Sequence, residues 1–379
     1  MKNFLRLILL LTFFTTACNL TATPQTPPAP DPVTQATTVA PTSSSIVNGQ
    51  SSAYISFIIN VHDWIRTDES ADILLKLLDL FERTNTRGDF YFTAEVTRKL
   101  ERERPDVIER FRNSNMTLSY HVRPPHPLYA GFDSRLQGLD DAALYQTVLD
   151  YETYALDLST GDLDRSQAGG YTYVAQVFGR NPVVAPAPAS RNNPRIKDAA
   201  QRVYASLGAQ MTLLYHEEGT RVEQPYEYVN GLLVRPSDFS VTRTTLVDGS
   251  DNFWWNFMSR PNASEYNPTA LLRGQIADWD SHSYGRAPFI TSLIHENNFY
   301  RSGAESWSSI YFTMDGGKKA NPLSPPFDLA APDPSTLRSP EEQQAIFAAY
   351  EELVAYAVSN LTVVTSEDIV ALAVAQSGP

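Results

Sequence analysis

The strongest constraint on the fold is an alternation that runs through most of the chain. Short apolar runs that suit buried strands are each followed by an amphipathic helical pattern. Residues 54–61, Tyr-Ile-Ser-Phe-Ile-Ile-Asn-Val, are mostly apolar on both faces of an extended chain, as a strand inside a parallel sheet must be. Leu74, Leu77, Leu78 and Phe81 follow at helical spacing, with Ser70 the expected N-cap. A second strand is expected at 90–92, and Thr93 caps a helix towards 104. Pro105 interrupts before a further helical turn or two at 106–113, and a third strand follows at 116–120. This is β-α-β-α-β, which implies parallel pairing with right-handed crossovers. The pattern continues with a helix over 140–158, a short strand at 182–185, a helix over 194–207 and a strand at 210–215. Asn230-Gly231 signals a hairpin, a buried strand is expected at 289–294, and Ser339-Pro340-Glu341-Glu342 forms a capping box that opens a helix to about 359. A strand at 361–364 and a helix capped by Thr365 and Asp368 close the chain. Residues 236–286 read as an irregular loop region rich in aromatics and Asn.

The N-terminus has a different character. Lys2 and Arg6 precede an apolar run at 7–14, and small residues lead to Cys18. That run is about half the ~20 residues a spanning helix needs, so 1–17 reads as a secretory signal. Thr15-Thr16-Ala17-Cys18 resembles a bacterial lipobox, in which the cysteine becomes the lipidated first residue. Residues 19–50 hold six Pro, seven Thr, three Ser, no aromatic and one charge, Asp31. Such a stretch cannot bury enough surface to fold and is kept extended by its prolines. The expected organisation is a signal peptide at 1–17, a tether at 18–50 and one α/β domain at 51–379. The formal charge of −13 argues against a nucleic-acid partner, which requires clustered Lys and Arg. A single Cys rules out an intrachain disulfide and any Cys-based zinc cluster.

A metal site would therefore have to use the six His and the carboxylates. In parallel α/β folds chemistry collects beyond the carboxyl ends of the strands. His62-Asp63 follows the first strand, His121 the third, with His126 five residues later, and His295 ends the strand at 289–294. His216 and His282 are less clearly placed. The segment 119–127, Ser-Tyr-His-Val-Arg-Pro-Pro-His-Pro, cannot be helical because of its prolines. As a rigid loop it can aim two imidazoles at one point. With Asp63 it offers two nitrogens and one carboxylate, a set that suits a catalytic divalent metal.

The order of these features resembles the polysaccharide deacetylase (NodB-homology) family, whose fold is an irregular (β/α) barrel and whose members remove acetyl groups from sugars. The family's first motif is Thr-Phe-Asp-Asp-Gly; here Asn60-Val61-His62-Asp63-Trp64 keeps the second Asp, the metal ligand, and puts His62 where the base stands. Its His-x3-His motif is matched by the longer His121-x4-His126-Pro127. Leu293-Ile294-His295 fits the Leu-x-His motif, and Phe90-Tyr91-Phe92-Thr93 fits the strand between. Asp278-Trp279-Asp280 is a loose match to a motif centred on Asp-x-x-Asp-Trp. The Arg-x-Pro-Tyr motif is absent from 185–191, where a backbone amide near Ala187 or Ala189 is left as the oxyanion donor.

The resemblance implies a divalent metal, zinc, held by Asp63, His121 and His126, with His295 as general acid. Asp278 or Asp280 would orient His295. The base is open between His62, Asp280 and Glu296, since neighbours on a strand point to opposite sides. Trp64 and Trp279 are the substrate-binding candidates, and Trp254, Trp255 and Trp307 could extend a sugar groove. The expected activity is metal-dependent de-N-acetylation of a cell-surface or extracellular polysaccharide or peptidoglycan by a membrane-anchored monomer. The alternatives are a degenerate glycan-binding lipoprotein and hydrolysis of a non-sugar amide. If Cys18 carries the lipid, Cys18→Ala moves the protein from the membrane to the soluble fraction on cell fractionation, because two or more acyl chains are needed for firm anchoring.

Overall fold

A computed structural model describes residues 53–186, 193–213, 224–240, 267–282 and 284–377. The expected signal peptide, tether and Cys18 lie outside these residues, as do Ala187, Ala189, His216, Trp254 and Trp255.

Parallel strands run in chain order: β1 (Tyr54–Val61), β2 (Asp89–Phe92), β3 (Thr117–Tyr120), β4 (Val184–Ala185), β5 (Met211–Thr212), β6 (Leu232–Val234), β7 (Phe239–Ser240) and β8 (Phe289–His295). β1 pairs with β2, β2 with β3, β4 with β5 and β5 with β6. β7 pairs with β8, and β8 returns to β1 along seven residues, Tyr54↔Phe289 to Asn60↔His295. The step from β3 to β4 is carried by Val183 N–H donating to Leu118 O at 2.8 Å. β6 and β7 belong to one run of chain interrupted at Pro236, whose nitrogen cannot donate to a ladder. That run meets β5 on one side and β8 on the other, which carries the ring round. The architecture is the irregular (β/α) barrel expected from the sequence.

Helices α1 (Thr67–Arg83), α2 (Ala94–Glu103), α3 (Pro105–Arg112), α4 (Asp141–Thr153), α5 (Gly170–Phe178), α6 (Pro194–Leu207), α7 (Pro268–His282) and α8 (Pro340–Asn360) accompany the strands. β9 (Thr362–Val363) pairs with the start of β1, and α9 (Ser366–Ser377) ends the described chain. The alternation along β1 sorts the core. Ile55, Phe57, Ile59 and Val61 join the cluster shared with α1, α2 and α8, whereas Ile58 joins a second cluster with Tyr91, Val184, Met211, Leu233 and Phe289. Ile369 and Ala373 of α9 belong to that second cluster, so the last helix fills the floor of the ring.

Several expectations need correction. α1 starts at Thr67, so Ser70 is buried inside its first turn rather than capping it. The helix after 140 stops at Thr153, because Tyr154–Leu156 pairs with Leu163–Ala168 in an antiparallel hairpin. Helix α5 was not expected; its N-terminal Gly169-Gly170 carries no side-chain cap to signal it. Both glycines are needed, since a Cβ on either would fall within 2.5 Å of the backbone of residues 152–155. α7 occupies part of the region read as loop. Asn230 and Gly231 do form the hairpin turn, with φ of 50° and 83°, and Ser339 and Glu342 form the capping box.

The floor is tied by charge. The Asp89 carboxylate accepts from Ser366 N (3.0 Å) and Ser366 Oγ (2.8 Å), and the buried Arg235 guanidinium reaches it at 3.2 Å. Removing one partner of a buried pair typically costs about 3–5 kcal/mol. Asp89→Ala is expected to lower the unfolding free energy by about that amount in urea titration, and Ser366→Ala by about 1 kcal/mol.

Candidate active site

The same period of two that sorts the core builds the site. On β3, Leu118, Tyr120 and Val122 face the helices, and on β8 so do Ile290 and Ile294. The alternate positions lead to His121 and His295, and on β1 to His62. The three imidazoles meet at the carboxyl ends of the strands. The ring centroids of His62 and His295 are 4.8 Å apart, and those of His62 and His121 are 6.3 Å apart.

Hydrogen bonding fixes the tautomer of the central pair. Trp307 Nε1–H can only donate, and it lies 3.4 Å from His62 Nδ1. His62 therefore carries its proton on Nε2 and donates it to His295 Nδ1 at 3.0 Å. Neutral His295 then has its own proton on Nε2. Both nitrogens of His62 are engaged in this way. His121 differs: it is 5 % exposed, and among the described residues neither of its nitrogens has a hydrogen-bond partner. Burial, reinforced by the positive charge of Arg123, pushes all three imidazoles well below their ordinary pKa, so they are neutral near pH 7.

Asp63 turns the other way from His62. Its Oδ2 accepts from Tyr300 Oη and Ser306 Oγ, both at 3.0 Å, and its Oδ1 from the amides of Ile65 and Arg66 at 3.3 Å. Four donors saturate this carboxylate. His126 is held at Nδ1, which accepts from Leu128 N at 3.2 Å, while its buried Nε2 lies 3.3 Å from Glu152 Oε1 without a hydrogen bond. The expected ligand set of Asp63, His121 and His126 is thus not assembled. Among the described residues no group of three His, Cys, Asp or Glu side chains is placed to hold a metal ion. The donors do not fit zinc, and no step is derived through it. The physical reason is the alternation itself, which gives the barrel interior to His62 and sends Asp63 behind it.

The expected partners of His295 are corrected too. Asp278 and Asp280 are both exposed on α7, rather than buried beside the imidazole. Trp279 is buried against Phe239 and Tyr284, with its Nε1 donating to Arg286 O. Trp64 is half-buried and packs with Tyr311 beside a small core of Trp307, Ile310, Phe312 and Phe327. Neither Trp presents a face to the imidazoles.

Glu296, one of three options for a base, has a different task. Its Oε1 accepts from the amides of both His62 (2.7 Å) and Asp63 (2.5 Å). Burial and the charge of Asp63 push its carboxyl up to about 7 against the pull of those amides. Arg301 is fully buried and opposes both Asp63 and Glu296. At the rim, Glu305 pairs with Lys319 at 3.0 Å; burial raises this carboxyl, but Lys319, Arg301 and Arg123 hold it well below the usual range. Arg123 carried no role in the sequence reading. Its spacing of two from His121 was the available signal, because alternate residues of an extended chain share a side.

No family model matches the sequence, and no curated protein matches it. Solved structures similar to it include a chain from Mycobacterium smegmatis described as a polysaccharide deacetylase, at 12% identity and TM-score 0.47, covering 89% of this chain and 95% of its own. The Puue allantoinase is similar at 13% identity and TM-score 0.45, covering 88% and 93%. A family 4 carbohydrate esterase from Streptomyces lividans, in complex with acetate, is similar at 10% and 0.35, covering 83% and 93%. None of these likenesses assigns a reaction to this chain, whose chemistry has to be read from its own side chains.

The pKa shifts set the pH dependence of stability. The imidazoles are depressed, so their contribution is present above the unfolded value of about 6.5 and is lost as pH falls below it. Glu296 is raised, so its contribution is lost as pH rises from its unfolded value, about 4.3, through about 7. The two slopes oppose each other below about pH 6.5. Urea unfolding at about pH 5 and about pH 7 is expected to show a steeper acid loss for Glu296→Gln and a shallower one for His121→Asn.

Proposed function

We propose that this chain is a hydrolase that removes an acetyl group from a cell-surface or extracellular polysaccharide, using imidazoles rather than the expected ligand triad. The observation that carries this reading is the cluster of three buried, neutral imidazoles where strands β1, β3 and β8 end. Two of them hold defined and different protonation roles. The motif order in the sequence supports the choice of an acetylated glycan.

His121 supplies the base. It is neutral, and a lone pair on one of its unpartnered nitrogens can take the proton of the water that attacks the acetyl carbonyl. His295 presents an N–H at Nε2 that hydrogen-bonds to the departing group, and the proton that group takes on leaving is the one His121 received from the attacking water. His62 touches neither reactant. It holds the His295 tautomer, and Trp307 holds His62. Glu296 fixes the backbone on which His62 sits. The reading also places the body outside the cytoplasm, on a lipid at Cys18 with residues 19–50 as spacer.

The test is acetate release from N-acetylated chitooligosaccharides and peptidoglycan fragments. His121→Ala and His295→Ala are expected to lower kcat by 10²–10⁴, the usual worth of a positioned acid or base. Trp307→Phe, which removes only the donor to His62, is expected to lower it less and to shift the pH profile. Asp278→Asn is expected to behave as wild type. Retention of more than about a tenth of the activity in His121→Ala would sink the assignment.

A further inference from the structure

Among the described residues, one cation near the imidazoles has no ion pair and is coupled to Glu305 only through space. Lys319 is paired with Glu305 at 3.0 Å, and Arg301 lies buried opposite Asp63 and Glu296. Arg123 is half-buried, makes no ion pair among the described residues, and has a buried Nε with no hydrogen-bond partner. It stands two residues from His121, whose two nitrogens are also buried and unpartnered. A guanidinium held in a low-dielectric recess without an acceptor is costly, and it repels a cation as strongly as it attracts an anion. Its positive charge is felt by all three imidazoles, as its position two residues from His121 leads one to expect.

We propose that Arg123 is a specificity residue that binds a carboxylate carried by the substrate, so that this site takes an acidic glycan rather than a neutral one. The planar fork of an arginine matches the two oxygens of a carboxylate. A neutral sugar offers that fork hydroxyl acceptors but leaves its charge uncompensated. The overall charge of −13 makes a local cationic recess the more selective, since the rest of the protein repels the same ligand. His121 remains available for the reaction, and Arg123 sets which sugar lies beside it. This inference rests on the hydrolase reading for the word substrate, but the binding site itself does not.

The experiment is calorimetric titration of the full chain with glucuronate, glucose and acetate, where no turnover occurs. Glucuronate is expected to bind at least tenfold more tightly than glucose. Arg123→Gln is expected to erase that preference, and Arg123→Lys, which keeps the charge without the fork, to restore part of it. Equal binding of glucuronate and glucose, or a preference that survives in Arg123→Gln, would overturn the proposal. Acetate binding as tightly as glucuronate would overturn it as well, by making the recess a seat for the released acid. A preference for glucuronate together with no acetate release from any glycan would support the carboxylate site and overturn the hydrolase reading, so the two can fail separately.

Discussion

One carboxylate holds the site together. Glu296, just past the end of β8, takes the amide hydrogens of His62 and Asp63 just past the end of β1 on a single oxygen. Both amides are buried where a strand has run out of ladder partners. Leaving two buried N–H groups without an acceptor costs roughly 1–3 kcal/mol each. The clamp therefore sets where β1 stops, and with it the direction in which His62 and Asp63 diverge. His62 goes to the interior, where it meets His295 and Trp307. Asp63 goes behind, where Tyr300 and Ser306 hold it. The imidazole pair and the saturated carboxylate both depend on that divergence.

The barrel was legible from the sequence because its first strand is apolar on both faces and several of its helices carry side-chain caps, at Thr93, Asp140, Asn193 and Ser339. The 54–61 run, the Asn230-Gly231 turn and the Ser339 capping box each signal their structure through a local mechanism. The misses share a cause. α5 begins at two glycines with no capping side chain, and α7 sits among polar and aromatic residues with no clean apolar stripe. Those elements are held by tertiary contacts that spacing does not reveal.

The site was legible in part. Placing His62, His121 and His295 at strand ends was sufficient to bring them together. The rule that neighbours on a strand face opposite ways was also available, but it was used to question His62 as the base. The structure applies it to Asp63 instead. His126 followed from the motif, yet Glu152 takes its free side from an element more than twenty residues away, which no spacing argument could find. Arg123 lay in plain view within the 119–127 segment, and Glu296 owes its role to a contact 233 residues distant.

The placement of β1 has a consequence for how the chain comes to be folded. The first strand made is flanked on one side by β8, from residues 289–295, and at its start by β9, from 362–363. Only β2 is close in sequence. The last helix then closes the floor. During synthesis the chain must carry an apolar first strand with one edge unpaired until more than two hundred further residues have followed. Parallel, non-local pairing of this kind is slow and exposed to misassociation. The edge of β1 that waits for β8 is the one whose end carries His62, so the long-range pairing that closes this edge is also the one that brings His62 to His295.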